Sequence, residues 1–183
     1  MILMENTYEL HISGLTRHLK KVKISDDLVI ASFVMLGDTE LIERTAEDLY
    51  RKLPNDIDYL VCPEAKGIPL TPAIARRLGI NYVIVRKSVK GYMKNPVIEK
   101  VQSITTREPQ IIVLDGLDAE KLTNKRVCIV DDVVSTGGSL KALERLLSHV
   151  QCTVVAKVAV LLEEGGYDKE DLIYLGNLPV FKE

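Results

Sequence analysis

The stretch VCIVDDVVSTGGS, residues 127–139, sets three kinds of residue in an order that packing alone does not require. Four apolar residues have the makeup of a buried strand. Asp131 and Asp132 stand side by side where that strand reaches the sheet edge, and Ser135, Thr136, Gly137, Gly138 and Ser139 then turn the chain into a helix. The two glycines permit positive φ and close backbone approach, so successive N–H groups can converge on one phosphate. The helix contributes its positive N-terminal end, and the three hydroxyls contribute donors. Two carboxylates beside an anion site would repel the anion unless they had targets of their own. Vicinal ribose hydroxyls are such targets, since each donates a hydrogen bond to a carboxylate. The segment therefore describes a sugar diol close to a terminal phosphate. The plain alternative is a Gly-containing strand-to-helix turn with an Asp cap, but a bare Gly-Gly turn is far commoner than this full string. The Gly-Lys-Ser/Thr terminus of a Walker A loop is absent, and the string is not GxGxxG.

The sequence on either side repeats strand, loop, helix and strand. Short strands are expected at residues 8–12, 21–24 and 29–34. Asp38 then caps a helix running to about Leu53, with Leu41, Ile42, Ala46 and Leu49 on its apolar face, and Pro54 stops it. IDYLVC (residues 57–62), NYVIV (81–85), RVCIV (126–130) and TVVAKVAVLL (153–162) read as buried strands. Helices are expected from about Ile68 to Leu78, ending at Gly79, and from Gly137 and Gly138 to about His149. Residues 97–115 alternate as a hairpin excursion does. Repeated βαβ units imply an α/β fold with a mostly parallel sheet flanked by helices, whose ligands bind beyond the carboxyl ends of the strands. The expected layout is an N-terminal hood over residues 1–37, a core over 38–165 and a C-terminal extension over 166–183.

The whole chain sets outer limits. Its 183 residues, 46% of them apolar, suffice for a buried core, and a net charge of −2 gives no global field for nucleic acid or an anionic membrane. An anionic ligand must be held by local donors. The first residues have no basic n-region, and no apolar run approaches a membrane span. Cys62, Cys128 and Cys152 sit in apolar runs without a CxxC pair, as small buried hydrophobes in a reducing compartment do. The expected location is the cytoplasm.

With these residues on view, VCIVDDVVSTGGS resembles the thirteen-residue phosphoribosyl pyrophosphate (PRPP) signature of the type I phosphoribosyltransferases. The resemblance implies that fold, with a small hood and a β-hairpin excursion. It gives Asp131 and Asp132 the ribose 2′- and 3′-hydroxyls, and gives Val134, Ser135, Thr136, Gly137, Gly138 and Ser139 the 5′-phosphate. PRPP also carries a pyrophosphate, so a second anion site is needed. The loop PEAKG resembles the family's pyrophosphate loop, with Lys66 and Gly67 as contacts; taken alone it reads better as a plain β-to-α turn with an exposed Lys, and beside the main signature the order reverses. Arg86, Lys87 and Lys90 stand where the family's basic residues reach pyrophosphate, one of them commonly from a partner subunit. The bland alternative is a surface charge cluster, the reading preferred for Lys94.

The run EAKGIPLTPAIARRLGINYVIVRKSVKGY (residues 64–92) is similar to the corresponding region of adenine phosphoribosyltransferases and their relatives. The resemblance implies transfer of ribose 5-phosphate from PRPP to a nucleobase, adenine first. Asp131, Asp132 and Arg86 are the catalytic residues it implies. Mg²⁺ would ride mainly on PRPP with no protein metal site, the loop of residues 88–96 would close over the reactants, and a homodimer is the expected assembly. One departure bears on the base. The family's Leu-Glu-Tyr-Gly segment is replaced by Thr105-Thr106-Arg107-Glu108-Pro109-Gln110, where Glu108 reads best as an exposed turn residue. Hypoxanthine and xanthine stay open as substrates. The rival from another class is a PRPP- or nucleotide-sensing regulator without catalysis, which would call for a DNA-binding unit or basic face that the chain has no room for.

Overall fold

The four expected apolar runs, with one more from the C-terminal segment, assemble into a parallel sheet. The computed structural model describes residues 6–101, 110–168 and 170–181. Strands β4 (Tyr59–Pro63), β5 (Asn81–Val85), β8 (Arg126–Val134), β9 (Thr153–Glu163) and β10 (Leu172–Leu178) lie in the order β10-β9-β8-β4-β5. Every neighbouring pair is parallel. Strand β8 is central, and Val127, Cys128, Ile129 and Val130 are all 0% exposed. Alternate side chains point to opposite faces, so Cys128 and Val130 join one core cluster while Val127 and Ile129 join the other.

Helices α1 (Thr39–Tyr50) and α2 (Leu70–Leu78) cover the first face. Asp38 caps α1 as expected, accepting from the Leu41 amide at 3.0 Å, and Gly79 ends α2 in the left-handed conformation. Helices α3 (Gly116–Leu122) and α4 (Gly138–Ser148) pack on the second face. The antiparallel hairpin β6 (Val97–Val101) and β7 (Gln110–Leu114) lies on that side too. A separate four-stranded antiparallel sheet, β1-β2-β3-β11, forms the hood from β1 (Thr7–Ile12), β2 (Leu15–Ser25), β3 (Leu28–Ser32) and β11 (Val180–Phe181).

The structure departs from the sequence reading in four places. Strand β2 starts at Leu15, not Lys21, because Leu19 alone is buried along it and the other residues are mostly polar or charged, with Val22 and Ile24 exposed. Strand β8 runs on to Val134, so Asp131 sits within the ladder opposite Ala159. Helix α3 was not expected; it is short, and it forms where Gly116 meets the Lys94 carbonyl, which would lie 2.3 Å from any Cβ. The residues after 165, expected as an extension, supply β10 at the sheet edge and β11 in the hood. No helix among the described residues is long and apolar enough to cross a membrane. All three cysteines are free, Cys62 and Cys128 buried and Cys152 partly so.

Candidate active site

Three loops leave the carboxyl ends of β4, β5 and β8 and meet. The closest approach is at Gly67, where a Cβ would lie 3.3 Å from both Asp131 Cα and the Asp132 nitrogen. Glycine thus lets the β4 loop lie against the paired acids. The β4 loop is also tied to β5, with the Glu64 amide donating to the Val85 carbonyl at 2.9 Å. Together they border a cavity of about 630 Å³ lined by Glu64, Ala65, Lys66, Lys87, Asp131, Asp132, Val133 and Ser139, and by Val101, Gln110, Ile111 and Ile112 of the hairpin.

The two acids are buried unequally. Asp132 is 4% exposed, and its Oδ2 has no hydrogen-bond partner among the described residues. Lys66 Nζ lies 3.3 Å from that oxygen, near enough for attraction but out of line for a hydrogen bond. A buried acceptor left in this way calls for a donor. Asp131 Oδ1 accepts from the Asp132 amide at 2.9 Å. Burial, reinforced by the Asp132 charge, pushes the Asp131 carboxyl well above the ordinary range. Cys62 lies beneath, its thiol pushed up to about 12 by burial, which makes it inert packing.

Beyond the acids, Gly137 adopts φ 78° and opens α4 without a side-chain cap. The N–H groups of the first helical turn are therefore not occupied by a capping side chain. Ser135 Oγ accepts from the Thr136 amide at 2.6 Å, tightening the turn, while Thr136 and Ser139 are exposed. Val134 is 4% exposed and packs into the core, so any contact it makes with a ligand runs through its backbone.

The basic residues are brought close but are already engaged. Lys66 donates to the Phe33 carbonyl at 3.5 Å besides pairing with Asp132. Arg86 Nε donates to Glu64 Oε2 and its Nη1 to the Tyr92 hydroxyl at 3.1 Å. Its guanidinium borders a smaller cavity of about 210 Å³ with Tyr92, Met93 and Asp115, and does not line the main one. Lys87 does line the main cavity, and its amide donates to Glu64 Oε1 at 3.2 Å. Burial opposes the Glu64 charge, but Arg86 and the Lys87 amide hold its carboxyl below the usual range. Lys90 donates to Ser88 Oγ at 2.6 Å; Lys94 is exposed, its amide donating to Asp115 at 3.1 Å. Glu108 falls outside the described residues.

Sequence reasoning missed Glu64 as the organiser of Arg86 and Lys87. The residue stands inside PEAKG, but no spacing rule links it to a base 22 positions away. Among the described residues no three His, Cys, Asp or Glu side chains cluster to ligate a metal. The hard oxygen donors at the cavity are Asp131, Asp132 and Glu64.

Comparisons with known proteins bear on the family and the fold. The model of the phosphoribosyl transferase domain matches residues 36–178. The hypoxanthine/guanine phosphoribosyltransferase of Methanosarcina acetivorans is 35% identical over 132 residues, 72% of this chain and 66% of that one. Its counterpart from Methanothermobacter thermautotrophicus is 30% identical over 128 residues, 70% of this chain and 63% of that one. The match thus spans a little under two thirds of these relatives' length. Among solved structures, adenine phosphoribosyltransferase from Thermoanaerobacter pseudethanolicus superposes with a TM-score of 0.71 at 22% identity, covering 87% of this chain and 95% of that one. The enzyme from Rhodothermus marinus gives 0.68 at 21% identity, covering 96% of each. The chain belongs to the phosphoribosyltransferase family. Its fold is that of the type I members.

Proposed function

We propose that the protein is a purine phosphoribosyltransferase that joins a purine ring nitrogen to C1 of PRPP and releases pyrophosphate. The observation that carries this is the buried pair Asp131 and Asp132, with an unsatisfied Asp132 oxygen, set directly before an uncapped Gly-Gly helix start. Ribose hydroxyls satisfy the acids, and the N–H groups of residues 135–139 take the 5′-phosphate. Lys66, Lys87 and the amides of the β4 loop take the pyrophosphate on the opposite wall.

In the reaction the C1–O bond to pyrophosphate breaks and its electron pair leaves with the pyrophosphate, while the purine nitrogen bonds to C1 and gives up its N–H proton to solvent. Positive charge grows on the sugar ring as the bond to the leaving group weakens. The carboxylates below the ring and the cations around the leaving group are fixed by folding, so the protein acts by orientation and electrostatics. Arg86 acts from one remove, by setting Glu64 and, through it, the Lys87 amide. The donor set at the cavity is hard oxygen, which suits a hydrated Mg²⁺. Such an ion would be held mainly by PRPP itself, beside Asp131 and Asp132, and would neutralise charge on the pyrophosphate oxygens.

For the base, the relatives at 30–35% identity carry the name hypoxanthine/guanine phosphoribosyltransferase, which favours a 6-oxopurine. Adenine, the expectation from the sequence, is the second reading, supported by the run of residues 64–92. The test is PRPP-dependent pyrophosphate release with hypoxanthine, guanine, xanthine, adenine, uracil and orotate. Release with hypoxanthine or guanine is expected, and release with adenine alone would establish the second reading. Release confined to pyrimidines, or none with any base, would overturn the proposal, the latter in favour of a PRPP sensor.

A further inference from the structure

Behind the phosphate loop lies a polar cluster, built on the buried Lys157 and Tyr167, that the proposed reaction does not use. Lys157 of β9, with its side chain 8% exposed, donates to Asp171 Oδ2 at 2.5 Å and to Glu144 of α4, and reaches the Tyr167 hydroxyl at 3.4 Å. The Tyr167 hydroxyl in turn donates to Asp171 Oδ1 at 2.9 Å. Burial works against the Lys157 charge, yet Asp171 and Glu144 hold its ammonium above the ordinary range.

The cluster fixes one aromatic ring against the loop. Tyr167 is 5% exposed, and a Cβ on Gly137 would lie 2.2 Å from its ring Cδ2. The Tyr167 amide donates to the Ser135 carbonyl at 2.7 Å. That approach needs Gly166, where a Cβ would lie 2.2 Å from the same oxygen. One tyrosine thus holds two residues of the turn, Ser135 through its carbonyl and Gly137 through the close approach of the ring's Cδ2 side.

We propose that Tyr167, braced by Lys157 and Asp171, is a positioning residue that keeps the turn of residues 135–137 in its phosphate-binding shape. This rests on the reading that the turn takes the 5′-phosphate. A cradle already in its bound shape loses less ordering free energy on binding. Without the ring the turn populates other shapes, and apparent affinity falls by the fraction still competent.

The experiment is calorimetric titration of ribose 5-phosphate and, separately, of pyrophosphate into the wild type, Tyr167→Leu and Tyr167→Phe. For Tyr167→Leu, ribose 5-phosphate should bind about tenfold more weakly while pyrophosphate stays within about twofold. Tyr167→Phe keeps the ring and loses its hydroxyl contacts, so it should show a smaller loss for ribose 5-phosphate alone, about two- to fivefold. It carries the test by itself if Tyr167→Leu does not fold. Equal losses for the two ligands, or no loss for either, would overturn the inference. A wild type that does not bind ribose 5-phosphate would instead overturn the phosphate reading beneath it.

Discussion

On the wall proposed for ribose 5-phosphate the candidate ligand groups are backbone N–H groups at the start of α4 and two acids set into β8. On the wall proposed for pyrophosphate they are long cationic side chains on loops. The first set is anchored by a strand whose four apolar residues are 0% exposed and by a helix packed on the sheet. The second set is held by exchangeable contacts, Lys66 with Asp132 and the Lys87 amide with Glu64, which Arg86 also engages, and the Lys66 side chain is 49% exposed. The contrast teaches where binding has to rearrange the protein. On the proposed reading one wall stands ready for its anion, whereas on the other a carboxylate must release a cation or an amide as pyrophosphate enters. Lys66 lies across the two, since ribose hydroxyls that satisfy Asp132 also free its ammonium.

The contrast is broken most severely at the acids. Asp131→Asn combined with Asp132→Asn should lower kcat/KM for PRPP by roughly 10²–10³-fold, as loss of preorganised groups does. Circular dichroism should show the fold intact, and wild-type-like kinetics would refute the ribose assignment. On the other wall, Lys87→Ala should weaken PRPP and pyrophosphate by about tenfold, near 1.4 kcal/mol, and leave nucleobase affinity almost unchanged. Equal weakening of all three in titration would count against a pyrophosphate clamp. Glu64→Gln sharpens the idea of exchange. Relieving the competition for Arg86 and the Lys87 amide should tighten pyrophosphate by about two- to fivefold, the scale of a partly exposed ion pair. Unchanged or weaker binding would mean that Glu64 only orients the loop.

The smallest effect is on stability. The Asp131 carboxyl is raised in the fold, so the native state holds that proton more tightly than the unfolded chain does. Its contribution to stability therefore falls as pH rises above the ordinary carboxylate range. Asp131→Asn alone should melt about 2–4 °C above the wild type at neutral pH, the shift that ~1 kcal/mol gives in a domain of this size. The two should converge near pH ~4. A variant less stable than the wild type at neutral pH would show the buried charge to be compensated.

The sequence made the ribose-phosphate wall legible because strand, acids and glycine turn are contiguous, and each residue type implies its own contact. The central strands were equally readable, since both faces of β8 are buried and its apolar run is unbroken. What escaped is what depends on distant partners. Strand β2 is mostly polar because much of the hood faces solvent, and β10 carries a mixed pattern because it sits at the sheet edge. Arg86 reads as a pyrophosphate contact until the fold sets Glu64 beside it. No spacing in the sequence shows the Tyr167 ring set against Gly137.

The central claim is tested most directly by a crystal structure of the protein with PRPP bound. The account requires the ribose hydroxyls on Asp131 and Asp132, the 5′-phosphate on the amides of residues 135–139, and the pyrophosphate between the β4 loop and Lys87. A 5′-phosphate bound elsewhere, with Asp132 Oδ2 still without a donor, would contradict it.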